Sequence, residues 1–103
     1  MYGRADLDKQ FLLSGIIAKE EFNVKVAIKF FKESVKYNRN NHKALFQLAL
    51  TSDTYYKDKK IAFKHYQNFI QRFEGENKKL TLYAKNRIKE IKKEYFIKGE
   101  IVE

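Results

Sequence analysis

The stretch FLLSGIIAKEEFNVKVAIKFFKESVKYN (residues 11–38) repeats its apolar side chains at helical spacing, yet sets a glycine, Gly15, inside the first helical run. Glycine costs roughly 1 kcal/mol against alanine in a helix interior. A residue kept at that cost needs a reason outside its own helix. That reason decides the fold.

Outward from this stretch, the apolar periodicity predicts five helices, over 5–22, 24–37, 42–56, 59–73 and 77–97. Asn23 is expected to supply the left-handed residue that ends the first, and Asp58 the N-cap of the fourth. The run NRNN (residues 38–41) separates the second from the third, because asparagine bonds its own backbone in competition with helix. Gly75 reads as a helix stop, and the tail KGEIVE as frayed. Nothing alternates with a period of two, so no strand is expected.

Similar lengths and tight breaks call for a repeat search. Gly15, Ala49 and Ala84 fall 34 and 35 positions apart, each in the first helix of a pair. Ala27 and Ala62 fall 35 apart in the second helices, each followed four positions later by an aromatic, Phe31 or Tyr66. Gly15 then has its reason: it lets its helix approach an antiparallel partner whose ring fills the space. Accidental spacing in an unrelated bundle would have to produce both columns separately.

On these residues the chain resembles the tetratricopeptide repeat. The first unit matches that pattern at Phe11, Gly15, Ala27, Phe31 and Ser34, and the second at Leu45, Leu48, Ala49, Ala62 and Tyr66. The third keeps Leu80, Tyr83 and Ala84 without a second helix. Departures are Ser14 at the leucine position, Ala18 at the tyrosine position and the missing closing prolines. The resemblance implies an all-α fold, a right-handed α-solenoid of about two helix-turn-helix repeats plus a C-terminal capping helix. It would form one domain over residues 1–103, with repeats at about 6–38 and 42–74 and the cap at about 77–97.

Composition narrows the function from another side. The 103 residues suffice for one small domain, with 44% hydrophobic and 34% charged. No cysteine is present, so disulfides and thiolate chemistry are excluded. The start MYGRADLDKQ lacks the apolar core of a signal peptide, and no apolar run nears the ~20 residues of a membrane span. A cytoplasmic location is therefore expected. The chain opens abruptly on a helical pattern, as a piece of a longer protein would.

Catalytic signals are poor, and no enzyme, metal or cofactor is expected. His42 and His65 lack ligand-spaced partners. Glu20–Glu21 and Glu90/Glu94 stand on charged faces among lysines, and Ser14, Ser34 and Ser52 sit inside helices.

The resemblance also implies a concave surface lined by the first helices. Its positions here are Lys9, Leu12, Ile16 and Lys19 in the first unit, then Lys43, Phe46, Leu50 and Asp53 in the second. The cap contributes Lys78, Thr81, Lys85 and Lys89. This predicts a shallow apolar channel edged by ammonium groups, suited to a peptide or protein segment with acidic character. Leu12 and Ile16 serve equally well to cover a preceding repeat. Ile16 and Leu50 stand where some family members carry clamp asparagines, so a clamp for acidic peptide termini is not expected. The net charge of +9 with 16% aromatics permits nucleic-acid binding as an alternative. An uncovered first helix permits self-association through Leu12, Leu13 and Ile17.

Overall fold

Asparagine and aspartate punctuate the chain. Asn41 accepts from Ala44 N–H at 3.0 Å, Asp58 from Lys60 N–H at 3.0 Å, and Asn77 from Leu80 N–H at 3.0 Å. Each side chain satisfies a donor that the first turn of a helix leaves without a partner. In the computed structural model, which describes residues 6–97 and 99, these caps open three of five helices. They are α1 (Leu7–Glu20), α2 (Val24–Tyr37), α3 (His42–Tyr55), α4 (Lys59–Phe73) and α5 (Lys78–Ile97). No strand occurs among the described residues, so the protein is all-α.

The first helix is shorter than its sequence pattern. Ala5 lies outside the described residues, as does most of the tail expected to fray. At the other end Glu21 and Phe22 belong to the turn. The left-handed residue there is Phe22 (φ 62°), not Asn23 (φ −96°). Phe22 N–H bonds Lys19 O at 3.1 Å and Asn23 N–H bonds Ala18 O at 2.8 Å, the paired closure usually built on glycine. A side chain in this conformation costs roughly 1–2 kcal/mol. Asn23 would have tolerated it better, but the closing bonds fall one residue earlier. Gly75 does lie in the turn after α4, yet without a positive φ and with nothing within 4 Å of a would-be Cβ. Nothing there requires glycine.

Short turns force neighbouring helices to run antiparallel, so α1, α3 and α5 run the same way. Each helix packs chiefly against those before and after it. The result is a row measuring 53 × 30 × 20 Å, with a radius of gyration of 14.3 Å. A rounded domain of this size would have about 13 Å.

The α1–α2 contact turns on Gly15. A Cβ added there would meet Phe31 Cε1 at 2.5 Å and Cδ1 at 2.7 Å, and Phe31 is fully buried. Ala27, Ala49, Ala62, Ala84 and Tyr66 are likewise fully buried, so both columns of small residues and both aromatics lie in the core. Polar ties fix the ends of the row. At one end the Asp8 carboxylate accepts from Asn38 Nδ2 at 3.2 Å and Asn41 Nδ2 at 2.8 Å, while Ser34 Oγ donates to Asp8 O at 2.6 Å. These bonds hold the start of α1 against the α2–α3 turn. At the opposite end Tyr95 Oη accepts from Lys59 N–H at 2.7 Å, holding the end of α5 against the α3–α4 turn.

Candidate functional site

Two side chains at equivalent places reach from one odd-numbered helix to the next. Lys19 Nζ on α1 donates to Gln47 Oε1 on α3 at 3.2 Å. Asp53, 34 positions after Lys19, joins α3 to α5 through the Arg87 guanidinium, with Nε to Oδ2 at 2.7 Å and Nη2 to Oδ1 at 2.9 Å. α1, α3 and α5 therefore lie side by side.

Burial of Asp53 is made tolerable by its partners. Besides the two-pronged bond from Arg87, it accepts from Tyr66 Oη at 3.0 Å and lies 3.6 Å from Lys59 Nζ. The bond to Asp53 raises the pKa of Arg87 above its usual value. Burial foremost, and then Asp53, raises that of the Tyr66 phenol. Burial lowers that of the Lys19 ammonium. Asp53 was expected on the channel. It is instead a structural hub.

Phe46 also departs from expectation. Only 6% exposed, it stands edge-on to Phe69, Tyr83 and Tyr66 at 5.4, 5.6 and 6.4 Å. Phe46 is core, because α3 is packed on most of its circumference. Thr81 turns inward too, donating to Glu74 O at 2.9 Å. The strip of α3 that reaches solvent is Lys43, Gln47, Leu50 and Thr54, spaced i, i+4, i+7 and i+11. Relative to the expected set, it is turned by about one residue.

The same spacing picks out matching strips on the other two helices. On α1 they are Lys9, Leu13, Ile16 and Glu20, and on α5 Lys78, Leu82, Lys85 and Lys89, all exposed apart from the half-buried Ile16. One edge is thus a row of lysines: Lys9, Lys43 and Lys78. Leu13, Ile16, Leu50 and Leu82 supply apolar surface beside it. Of the expected residues, Leu12 and Lys19 are half-buried between α1 and its neighbours, and Lys85 is ion-paired with Glu74. Leu13, Gln47 and Leu82, which lie on these strips, were not among the expected residues; the 34- and 35-residue period could not have chosen them, because Leu12, Phe46 and Thr81 recur at the same spacing.

Depressions among the described residues lie away from this row of lysines. One of about 480 Å³ is lined by Lys64, Gln67, Asn68, Ile70 and Gln71 of α4 with Ile88 of α5. Another, of about 330 Å³, is formed by Lys89, Lys92, Lys93 and Phe96 near the end of α5. Among the described residues no group of histidines and carboxylates is placed to hold a metal ion. No helix among them is long and apolar enough to cross a membrane. No family model matches the chain. No curated protein and no solved structure matches it either.

Proposed function

We propose that this chain is a protein-interaction module of the tetratricopeptide type, a short right-handed solenoid with no chemistry of its own. It takes a segment of a partner protein across α1, α3 and α5. One observation carries the reading: the three odd-numbered helices are tied side by side and present solvent-facing strips at equivalent positions. The lysine row Lys9, Lys43 and Lys78 attracts carboxylates, and the surface of Leu13, Ile16, Leu50 and Leu82 takes apolar side chains. Rigid helices presenting these groups lose little entropy on binding.

Selection from a random displayed-peptide library against the intact chain tests this. Enriched peptides should combine acidic and apolar residues and lose roughly tenfold or more in affinity for Lys9→Glu/Lys43→Glu and for Leu50→Ala. Failure to enrich any peptide, or peptides indifferent to both variants, would contradict the reading. Affinity for a generic oligonucleotide that falls steeply with salt would favour nucleic acid instead.

A further inference from the structure

Because α1, α3 and α5 run in one direction, the α1–α2 turn, the α3–α4 turn and the end of α5 share one end of the molecule. Each presents an aromatic ring to solvent. Phe22 is 91% exposed, Tyr55 44% and Phe96 62%. Phe22 holds its ring out from a left-handed backbone that glycine would occupy without strain, so neither packing nor local geometry accounts for a phenylalanine there. Lys57 and Lys60 stand at this end in the α3–α4 turn and the start of α4, Lys60 with its Nζ 5.6 Å from the centre of the Tyr95 ring, and Lys89, Lys92 and Lys93 share a depression with Phe96. Glu20 and Glu21 precede Phe22, whereas on the α3–α5 side the lysines outnumber Asp58 and Glu94, so basic charge gathers there.

We infer that this end docks on the surface of a bilayer containing anionic phospholipid. Phe22, Tyr55 and Phe96 enter the boundary between headgroups and acyl chains, where aromatic rings are favoured. The lysines of this end lie among the anionic headgroups, their methylene stems along the apolar layer. Two features favour a bilayer over other anionic partners. The rings project separately from three different chain segments, which suits a fluid plane that imposes no register. The charges are lysines, hydrated point charges suited to a diffuse anionic surface. Among the described residues, the arginines, whose forks suit individual phosphates, lie elsewhere, Arg39 and Arg72 at the opposite end and Arg87 bound to Asp53.

None of the residues varied to test docking belongs to the strips of α1, α3 and α5, so peptide selection and membrane docking can fail separately. The test is co-sedimentation of the intact chain with vesicles of phosphatidylcholine alone and with about one-third phosphatidylserine. Binding is expected only to the second, with release as salt rises from about 0.1 M to about 1 M and the screening length falls from about 10 Å to about 3 Å. Lys57→Glu/Lys93→Glu should weaken binding by about 25-fold or more, at about fivefold per lysine. The same charge change at the opposite end, Lys36→Glu/Lys79→Glu, should weaken it several-fold less. Phe96→Ala should lose about tenfold.

The sharpest variant is Phe22→Gly, which should raise the thermal midpoint while lowering vesicle binding about tenfold. A raised midpoint with unchanged binding would overturn the inference. So would equal losses from the two lysine pairs, or no preference for phosphatidylserine. Tight binding of a single-stranded oligonucleotide by a chain that ignores vesicles would hand this surface to nucleic acid and overturn it as well.

Discussion

The Phe31 ring occupies the space that a side chain on Gly15 would need, with Cε1 only 2.5 Å from where a Cβ would stand. Gly15→Ala therefore opposes two effects. Helix propensity improves by about 1 kcal/mol, while overpacking a closed core costs about 1–3 kcal/mol. Packing should win, because Phe31 is fully buried and has nowhere to retreat. Urea denaturation should show Gly15→Ala destabilised by about 1 kcal/mol. Phe31→Leu should cost less in that background than in the parent chain.

Asp53 and Arg87 should behave as a unit. Arg87→Met leaves a buried carboxylate with Tyr66 and Lys59 but without its two-pronged partner. A loss of about 2–3 kcal/mol is expected in chemical denaturation. Adding Asp53→Asn removes the stranded charge and should recover part of that loss. Equal stability of the single and double variants would show that the carboxylate had found another partner.

The two asparagine caps should differ in worth. Asn77→Ala removes a cap to Leu80 N–H and should cost about 1 kcal/mol. Asn41→Ala removes the equivalent cap and also an amide donor to the buried Asp8 carboxylate. Its cost should be larger, about 2 kcal/mol, with the difference read from paired thermal melts.

Burial depresses the pKa of His65, and the nearby Lys32 and Lys64 act in the same direction. The unfolded chain therefore takes up this proton more readily than the folded one. The contribution is full above the ordinary histidine value of about 6.5 and is lost as pH falls through it towards the lower folded value. Stability measured from about pH 7.5 to 5 should decline, and His65→Gln should flatten that decline. An unchanged slope in the variant would place the titrating group elsewhere.

The helices and their pairing were legible because propensity, caps and two columns of small residues agree. Gly15 and Phe31 announce their contact from sequence alone, since a glycine kept inside a helix, with an aromatic column recurring in the next, marks a close approach of the two. The solvent-facing strip of α3 was harder to read. Nearly every turn of that helix is apolar, and it is packed on most sides, so periodicity cannot say whether Phe46 or Gln47 faces outward. Recurrence does not decide it either, because Leu12, Phe46 and Thr81 recur at the same 34 and 35 positions as Leu13, Gln47 and Leu82. The Asp53–Arg87 bond joins residues 34 apart through a contact that leaves no local trace. The strained Phe22 was hidden by Asn23, the residue better suited to that backbone.

The most direct measurement of the central claim is amide and side-chain NMR of the labelled chain titrated with a selected peptide. Shift changes should concentrate on Lys9, Leu13, Ile16, Lys43, Gln47, Leu50 and Leu82, across α1, α3 and α5. Changes confined to the outer faces of α2 and α4, at Lys25, Lys29, Gln67 and Asn68, would contradict it.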